Sequence, residues 1–329
     1  MCGIFGWIVG VDAQIDQKTY VSGLKELFLL SETRGKEASG ICVANDQEVV
    51  VYKDCIRARE FIKKDNFANA IKLINNQKSF LTFGHARMIT NGSDNNDNNQ
   101  PVVRNDLICI HNGIIVNDSK IWNDNSDMKR DAEVDTEVLL ALMEKYKYKD
   151  DMENAFLKAL QNIQGSLSIA LMDKASEYIL LYTNVGSLYV VFSKNSKMLL
   201  FASERYILEQ MICRKNLQKY FNINSIMQVK AKEGLWVNSH NCKVKKLGDK
   251  RNDDIKLLSS MTRKSILISS SEKKMKPVSE MVYQNRFNEV EKLIDVDLDK
   301  INGLRRCSKC LLPETFSIFI KSNAWKCFR

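Results

Sequence analysis

Residues 1–9, Met-Cys-Gly-Ile-Phe-Gly-Trp-Ile-Val, place a cysteine directly after the initiator methionine and then continue as an apolar run of strand length. Removal of Met1 would leave Cys2 with both a thiol and a free α-amino group. An α-amine has an ordinary pKa of about 7.7–8.0, so it can act as the base for the thiol. One residue can therefore supply nucleophile and base, although a buried structural cysteine in a first strand explains the same letters.

Five further segments follow MCGIFG in order along the chain. They are Arg34-Gly35 with Ala38-Ser39-Gly40-Ile41, Gly84-His85-Ala86-Arg87-Met88-Ile89-Thr90, Gln100-Pro101, His111-Asn112-Gly113 and Asp135-Thr136-Glu137. Their order and spacing over roughly residues 1–240 resemble the class II, N-terminal-nucleophile (Ntn) glutamine amidotransferases. Met88 and Ile89 stand where some branches of that family have an aromatic and a small residue, which leaves the branch open.

The resemblance implies a role for the polar residues of these segments. Attack on a carboxamide creates an oxyanion that needs preformed donors, and the resemblance assigns them to the Asn112 side chain and the Gly113 N–H. An ordinary Asn-Gly turn is compatible with the same role. Arg87 and Asp135 match positions that bind the α-carboxylate and α-ammonium of glutamine, since buried charges need partners. Thr90 is expected to add a hydrogen bond to the carboxylate.

Three more residues of these segments need an interpretation. Arg34 matches a family arginine near the nucleophile, so we expect a supporting role, with loop anchoring as the equal alternative. His85 and His111 could suggest a catalytic or metal function, but the chain has only three histidines and these two lack His-x-x-x-His spacing. Both are interpreted as structural.

Apolar runs of strand length and helical periodicities arrive in groups rather than in strict alternation. Strands are predicted at Gly3–Val9, Ile41–Ala44, Phe80–Phe83, Leu107–Ile110, Leu167–Met172, Ile179–Tyr182, Leu188–Phe192 and Met198–Ala202. Helices are predicted at Tyr20–Leu30, Phe61–Ile74, Val134–Tyr146 and Met152–Ile163. The grouping favours an α+β protein with two packed sheets and covering helices. The resemblance implies a four-layer αββα Ntn-hydrolase sandwich with a mostly irregular C-terminal extension.

The composition is that of an ordinary globular chain of 329 residues, 44% apolar and 27% charged. No apolar run reaches the roughly 18–20 residues that span a bilayer, and the start lacks a basic signal region, so we expect a cytoplasmic protein without membrane contact. Nine cysteines, an odd number, fit reduced thiols better than a disulfide scaffold. No cofactor is expected.

The net charge of +9 arises from residues 241–329, which hold 20 basic against 11 acidic residues. Because this tail lacks interleaved aromatic side chains, it is interpreted as a solvated surface, and nucleic-acid binding is not favoured. Residues 1–245 are predicted to form the amidotransferase domain. Residues 246–304 are predicted to be a polar linker with one amphipathic helix at Val278–Ile301, and residues 305–329 the Cys-rich start of a further region.

Cysteines mark that last region. Cys307 and Cys310, then Leu311–Phe316 and Cys327, resemble the truncated opening of pyrophosphatase-loop amidotransferases that act on N-acetyl sugars. The spacing is typical of a zinc site whose fourth ligand would fall one position after Arg329. With three ligands only weak zinc binding is expected, and a cysteine pair in a disordered basic tail is the alternative.

These patterns predict the glutaminase half of an amidotransferase, which hydrolyses glutamine to glutamate and ammonia through a thioester on Cys2. The sequence lacks a Gly-x-x-x-x-Gly-Lys or Ser-Gly-Gly-x-Asp-Ser loop. An ammonia-accepting synthetase domain or subunit is therefore expected, and the second resemblance implies a sugar acceptor in surface-polysaccharide synthesis. Two alternatives stay open. One is another N-terminal-cysteine amidase, against which Arg87 and Asp135 argue, and the other is a silent regulatory or interaction remnant.

Overall fold

The computed structural model describes residues 2–74, 79–88, 95–147, 151–249 and 263–269. The strands are β1 (Gly3–Val9), β2 (Ala38–Ala44), β3 (Glu48–Asp54), β4 (Phe80–Arg87), β5 (Val102–Arg104), β6 (Leu107–His111), β7 (Ile114–Ile115), β8 (Gly165–Ser166), β9 (Ser168–Asp173), β10 (Tyr178–Thr183), β11 (Tyr189–Phe192), β12 (Met198–Ala202), β13 (Met227–Gln228), β14 (Glu233–Asn238), β15 (Val244–Lys246) and β16 (Lys264–Ser269). The helices are α1 (Gln17–Ser31), α2 (Ala58–Phe61), α3 (Asp65–Ile71), α4 (Asp118–Asp124), α5 (Thr136–Lys147), α6 (Met152–Asn162) and α7 (Arg205–Arg214), with 3-10 turns at Lys72–Ile74, Leu217–Lys219 and Ile223–Ser225.

Two large sheets form the centre of the fold. The first has eight strands in the order β13-β11-β12-β1-β4-β2-β3-β16, and the second has six in the order β15-β14-β10-β9-β6-β5. Pairing is antiparallel throughout both sheets except between β3 and β16, which run parallel. A separate two-stranded ribbon joins β7 to β8.

Side chains of β1 point alternately to two apolar cores, one on each face of its sheet. Phe5 and Trp7 point to a cluster that includes α1 and α7, and the Trp7 and Tyr20 rings lie 4.6 Å apart. Ile4 and Ile8 point the other way, into a core shared by both sheets. Successive side chains of a strand face opposite sides, so a fully apolar strand must be covered on both faces.

The second sheet is covered in the same manner. Leu171 and Leu180 pack with α5 and α6 in a third apolar cluster, in which Phe156 is fully buried. Ile110 and Ala170 face the first sheet instead. The order of layers is therefore helix, sheet, sheet, helix, which confirms the predicted αββα sandwich.

The predicted elements agree with the structure except at particular segments. The single helix predicted at Phe61–Ile74 is wrong: α2 ends at Phe61, and α3 begins at Asp65 after Lys64, whose backbone is extended. Strand β3 carries the run Val49–Val51 and was not predicted. Within the predicted linker, Lys264–Ser269 forms strand β16. The predicted helix at Val278–Ile301 lies outside the described residues. Among the described helices, none combines the length and apolarity that a membrane span requires.

Candidate active site

Cys2 lies at the start of β1, held on two sides by segments distant in sequence. Its Sγ lies 3.5 Å from the Met88 carbonyl oxygen, and its own carbonyl accepts a hydrogen bond of 2.9 Å from Arg34 Nε. Gly3, the next residue, pairs with Ala86 of β4. The side chain is only 7% exposed. The end of β4 and the end of α1 therefore fix the backbone of the proposed nucleophile.

The electrostatics of Cys2 reflect two opposed effects. Burial raises the pKa of the thiol, because the thiolate loses solvation, whereas the positive charges of Arg87 and Arg34 act to lower it. Burial is the largest of these causes. At neutral pH the group is thus held mainly as a thiol, and a local base is needed to take its proton.

Arg34 has a partner that the sequence did not reveal. Its Nη1 forms an ion pair with Glu204, which follows β12 and caps the start of α7, and both side chains are buried. Next to it, Ser203 exchanges hydrogen bonds with the Ile4 backbone. The junction of β12 and α7 therefore secures both Arg34 and β1. In the sequence, this junction is marked only by a Ser-Glu pair after an apolar strand, and such pairs are common on protein surfaces.

Two glycines allow the motif segments to pack against one another. A Cβ on Gly35 would lie 2.2 Å from the Arg87 carbonyl carbon, and a Cβ on Gly40 would lie 2.0 Å from the Gln100 carbonyl oxygen. No side chain fits at these distances. Gly35 thus brings the Arg34 turn onto the end of β4, and Gly40 brings β2 onto the Gln100 turn.

His111 is buried in a closed set of hydrogen bonds. Its backbone N–H donates to Gln100 Oε1 at 2.6 Å, Gln100 Nε2 lies 3.4 Å from Thr136 Oγ1, and Thr136 Oγ1 lies 3.0 Å from His111 Nδ1. His111 Nε2 lies 3.0 Å from the Ser166 carbonyl oxygen, which can only accept. Nε2 therefore carries a proton, and the Thr136 hydroxyl, which can accept from Gln100, can donate to Nδ1.

The ring nitrogens of His85 have no hydrogen-bond partner among the described residues, unlike those of His111. His85 lies on β4 two residues before Arg87 and is fully buried. Burial, with the charge of Arg87 as the next cause, lowers its pKa to about 3. A ring that stays neutral through the physiological range fits the structural interpretation better than a proton carrier.

Asn112 and Gly113 directly follow β6. The Asn112 backbone is paired in both directions with Ser168, at 2.8 and 3.0 Å. Its buried side-chain Oδ1 has no hydrogen-bond partner among the described residues. The Gly113 N–H likewise donates to no described residue. Ser168 thus holds the Asn112 backbone, while the Asn112 side-chain oxygen and the Gly113 N–H bond to no described residue.

Asp135 immediately precedes α5 and is 6% exposed. Its Oδ2 accepts a hydrogen bond of 2.7 Å from the Ile115 backbone N–H. Glu137, two residues further on, accepts from the Asp131 and Ala132 N–H groups and pairs with Arg104 at 2.8 Å. Glu137 therefore holds the loop before α5, a structural role for which the motif alone carried no prediction.

The contacts connect all six motif segments, although the segments span residues 2–137. Cys2 contacts Arg34, and the Arg34 turn packs on β4. Gly40 packs on the Gln100 turn, whose side chain binds the His111 backbone. His111 in turn contacts Thr136, the residue after Asp135. The starts and ends of separate strands thereby meet at one end of the sandwich, which is called the catalytic end below.

Some predicted site residues cannot be placed in this way. Thr90 lies outside the described residues, as do Cys307, Cys310 and Cys327, so their roles stay predictions. Within residues 2–74, 79–88, 95–147, 151–249 and 263–269, no group of three or more His, Cys, Asp or Glu side chains could hold a metal ion. The six cysteines in that part of the chain are all free thiols.

Comparison with known proteins agrees with this geometry. Residues 85–210 match the model of a family described as a glutamine amidotransferase domain. The glutamine–fructose-6-phosphate aminotransferase (isomerizing) of Helicobacter pylori is 28% identical over 248 residues, which cover 70% of this chain and 38% of that protein. The corresponding protein of Geobacillus kaustophilus is 31% identical over 183 residues, which cover 54% of this chain and 28% of that protein. Residues 85–210 are therefore similar to a glutamine amidotransferase domain.

The fold of the amidotransferase domain has a solved counterpart. The glutamine phosphoribosylpyrophosphate amidotransferase of B. subtilis, in complex with ADP and GMP, matches with a TM-score of 0.55 at 20% identity and covers 75% of this chain and 50% of that one. At this identity the match shows the Ntn amidotransferase fold alone. The chain spans less than two-fifths of the length of the curated relatives named above.

Proposed function

We propose that the amidotransferase domain is a working glutaminase with Cys2 as nucleophile. The observation that carries the proposal is the meeting of Cys2, Arg34, Arg87 and the Asn112-Gly113 turn through the continuous set of contacts described above. Among the described residues, those contacts leave Asn112 Oδ1 without a hydrogen-bond partner and the Gly113 N–H without an acceptor. A purely structural cysteine would not require such an arrangement.

The chemistry follows from these groups. With Met1 removed, the α-amine of Cys2 takes the thiol proton, and the sulfur forms a bond to the carbonyl carbon of the glutamine side-chain carboxamide. Asn112 and Gly113 donate to the oxyanion. The C–N bond then breaks and ammonia leaves with the proton. Water attacks the γ-glutamyl thioester, which releases glutamate and restores the thiol.

Recognition of free glutamine requires a partner for each charged end. We assign the α-carboxylate to Arg87, with Thr90 as an additional donor, and the α-ammonium to Asp135. One oxygen of the Asp135 carboxylate accepts from Ile115, so the carboxylate is already oriented before substrate binds. An apolar acyl chain offers no charged group to Arg87 or Asp135, which disfavours a general N-terminal-cysteine amidase.

We also propose that the ammonia is used by a synthetase-type domain or subunit with a sugar acceptor. The support is the similarity to the two glutamine–fructose-6-phosphate aminotransferases. The restriction to N-acetyl sugars of surface polysaccharides rests on the sequence resemblance of residues 305–329 alone. Transfer of ¹⁵N from amide-labelled glutamine, assayed in a lysate with and without the added chain, would identify the acceptor class.

The test of the glutaminase uses protein whose Met1 has been removed, as verified by mass spectrometry. Glutamate release from glutamine should be abolished by Cys2→Ala, with the circular dichroism spectrum unchanged. A diazo-ketone glutamine analogue should label Cys2. Labelling at Cys42 or Cys109, both fully buried between the layers, would refute the assignment. Full activity of protein that retains Met1 would refute the role of the α-amine.

A further inference from the structure

Arg263 is a buried cation at the end of the sandwich opposite Cys2. Its Nε donates to the Asn45 carbonyl at 2.6 Å, in the turn between β2 and β3 of the first sheet. Its Nη1 donates to the Ser176 carbonyl at 2.6 Å and the Lys174 carbonyl at 3.3 Å, in the turn between β9 and β10 of the second sheet. One guanidinium therefore binds turns of both sheets, and it is 4% exposed.

The two turns form a receptor suited to a guanidinium. Carbonyl oxygens converge on it from two directions, and a planar fork of donors can serve several acceptors at once. Burial lowers the pKa of Arg263, whereas the carboxylates of Asp46, Glu177 and Asp173 act to raise it and so keep the cation charged. Such a receptor favours one defined position for the chain at residue 263.

Strand β16 begins at the next residue and runs parallel to β3. Lys264 pairs with Glu48 beside the Asn45 turn, and Ser269 pairs with Lys53 at the other end of β3. Across the same sheet, Lys53 pairs with Gly40, and Gly40 with His85 of β4. Lys53 Nζ also donates to the Asn99 carbonyl at 2.8 Å, next to Gln100. Ser269 therefore lies at the catalytic end.

The direction of β16 determines at which end of the sandwich this strand ends. Six residues of strand cover about 17–20 Å, so an antiparallel β16 would have ended at the opposite end of the sandwich. Neighbouring strands lie about 4.8 Å apart, and four strand steps separate β1 from β16, which places Ser269 about 19 Å from the strand that follows Cys2. The exit is close to the site without covering it.

We infer that residues 263–269 are a strap, anchored by Arg263 at the far end of the sandwich, that fixes the end of β16 at the catalytic end. The inference deepens the proposed function and rests on it, because the strap ends on the side of the sandwich where Cys2 would release ammonia. Ile266 and Leu267 are exposed on the strap, at 37% and 63%. The backbone pairing with β3 and the Arg263 contacts therefore hold it, rather than deep burial of its side chains.

The first experiment locates the exit directly on the full chain. A photoreactive benzoylphenylalanine replaces Ser271, two residues past Ser269 and hence within about 7 Å of it. After irradiation, mass spectrometry should find adducts in residues 53–59 or 95–99. Adducts confined to residues 45–47 or 173–177, or no reproducible adduct, would overturn the inference.

The second experiment tests the anchor and the pairing by hydrogen exchange of the full chain. Ile266→Pro should speed exchange of the β3 amides that face β16 by about tenfold. The Lys264 N–H donates to the Gln47 carbonyl of the neighbouring strand, so the N–H of residue 266 faces β3 as well, and proline cannot donate there. The matched Ile266→Ser, at the same partly exposed position, should not. Arg263→Ala should act like the proline variant, and Arg263→Lys should recover part of the protection. Equal exchange in all four variants would contradict the strap.

Neither measurement requires turnover, so both can be repeated in the Cys2→Ala background. Adducts at the catalytic end together with an absent glutaminase activity would refute the proposed function and leave the strap in place. Activity with adducts at the far end would refute the strap alone.

Discussion

Cys2 is a buried thiol whose ionisation depends on charges held by residues far away in sequence. Burial raises its pKa, and Arg34 and Arg87 oppose that rise. Arg34 is itself neutralised in part by Glu204, since the two form a buried ion pair. The charge of Glu204 therefore affects the Cys2 thiol through Arg34. The direction in which a substitution of Glu204 shifts the pKa of that thiol can be predicted.

We expect Glu204→Gln to shift the pH midpoint for alkylation of Cys2 by iodoacetamide to lower pH. The glutamine keeps the shape and one acceptor, but it leaves the positive charge of Arg34 uncompensated, which favours the thiolate. Arg34→Gln should shift the midpoint to higher pH. The control is Glu209→Gln, which breaks a partly exposed pair with Arg205 and should leave the midpoint unchanged. A role of Glu204 in folding alone would alter the melting temperature but not the midpoint.

Binding and catalysis should separate at the remaining site residues. Asp135→Asn and Arg87→Lys are expected mainly to raise KM for glutamine, because each loses recognition of one charged end. Asn112→Ala should lower kcat by about 10² to 10³, the usual effect of removing one oxyanion donor. Steady-state glutaminase kinetics measure both. A KM effect at Asn112 with kcat unchanged would exchange these assignments.

At the scale of elements, the site depends on close approach of backbones from different strands. Gly40 of β2 is the clearest example, since an added Cβ would lie 2.0 Å from the Gln100 carbonyl oxygen. The Gln100 side chain holds the His111 backbone, and Asn112 follows. A displacement of β2 would therefore reach the oxyanion turn through two contacts.

Gly40→Ala should accordingly lower both the melting temperature and kcat. Forcing a methyl group against a backbone atom costs about 1–3 kcal/mol, and the shift of Gln100 should loosen the His111 turn. Gly248→Ala is the control, because nothing lies within 4 Å of its Cβ position. That variant should keep kcat. Wild-type kcat in Gly40→Ala would show that the Gln100 turn does not position the oxyanion donors.

The differences between predicted and observed elements have identifiable physical causes. Apolar residues recur at helical spacing across residues 61–74, and Lys63 and Lys64 do not interrupt that spacing. The chain nevertheless turns at these lysines, and α3 begins after them. Strand β16 has only Ile266, Leu267 and Ile268 as apolar residues, which is too short a run to stand out in a polar segment. Its pairing with β3 supplies the missing stabilisation, and pairing is not visible in local sequence.

At the scale of the whole molecule, the extent of the amidotransferase domain follows from β16. The sequence predicts that the amidotransferase domain ends at residue 245, so removal of the residues after 252 would be expected to leave glutaminase activity unchanged. Such a deletion removes Arg263 and exposes the edge of β3. Deletion after residue 269 keeps both.

We therefore expect the chain of residues 1–252 to melt at a lower temperature than the chain of residues 1–269. The shift should be about 2–4 °C for each kcal/mol lost, and differential scanning calorimetry measures it. Residues 1–269 should retain the glutaminase activity of the full chain. Equal melting temperatures of the two truncated chains would show that β16 contributes nothing to the domain.

The sequence by itself determined the fold class of this protein and predicted its chemistry. Residue types and their order are enough for that, because Cys2 behind a removable methionine, an Asn-Gly pair and an Arg-Asp pair have few other joint uses. The apolar runs likewise identified both sheets, since a strand without a polar face must be covered on two sides. Thr90 and the cysteines of residues 305–329 remain predictions from the sequence.

Only the tertiary structure decided how those residues are held. The Arg34–Glu204 pair, the closed hydrogen bonds of His111 and the clamp of Arg263 each join groups separated by 25 to 218 residues. Such pairings depend on strand order and register, which arise when whole layers pack together. The local sequence around Glu204 and Arg263 does not identify their distant partners. Both residues look like ordinary charged surface residues in their sequence context.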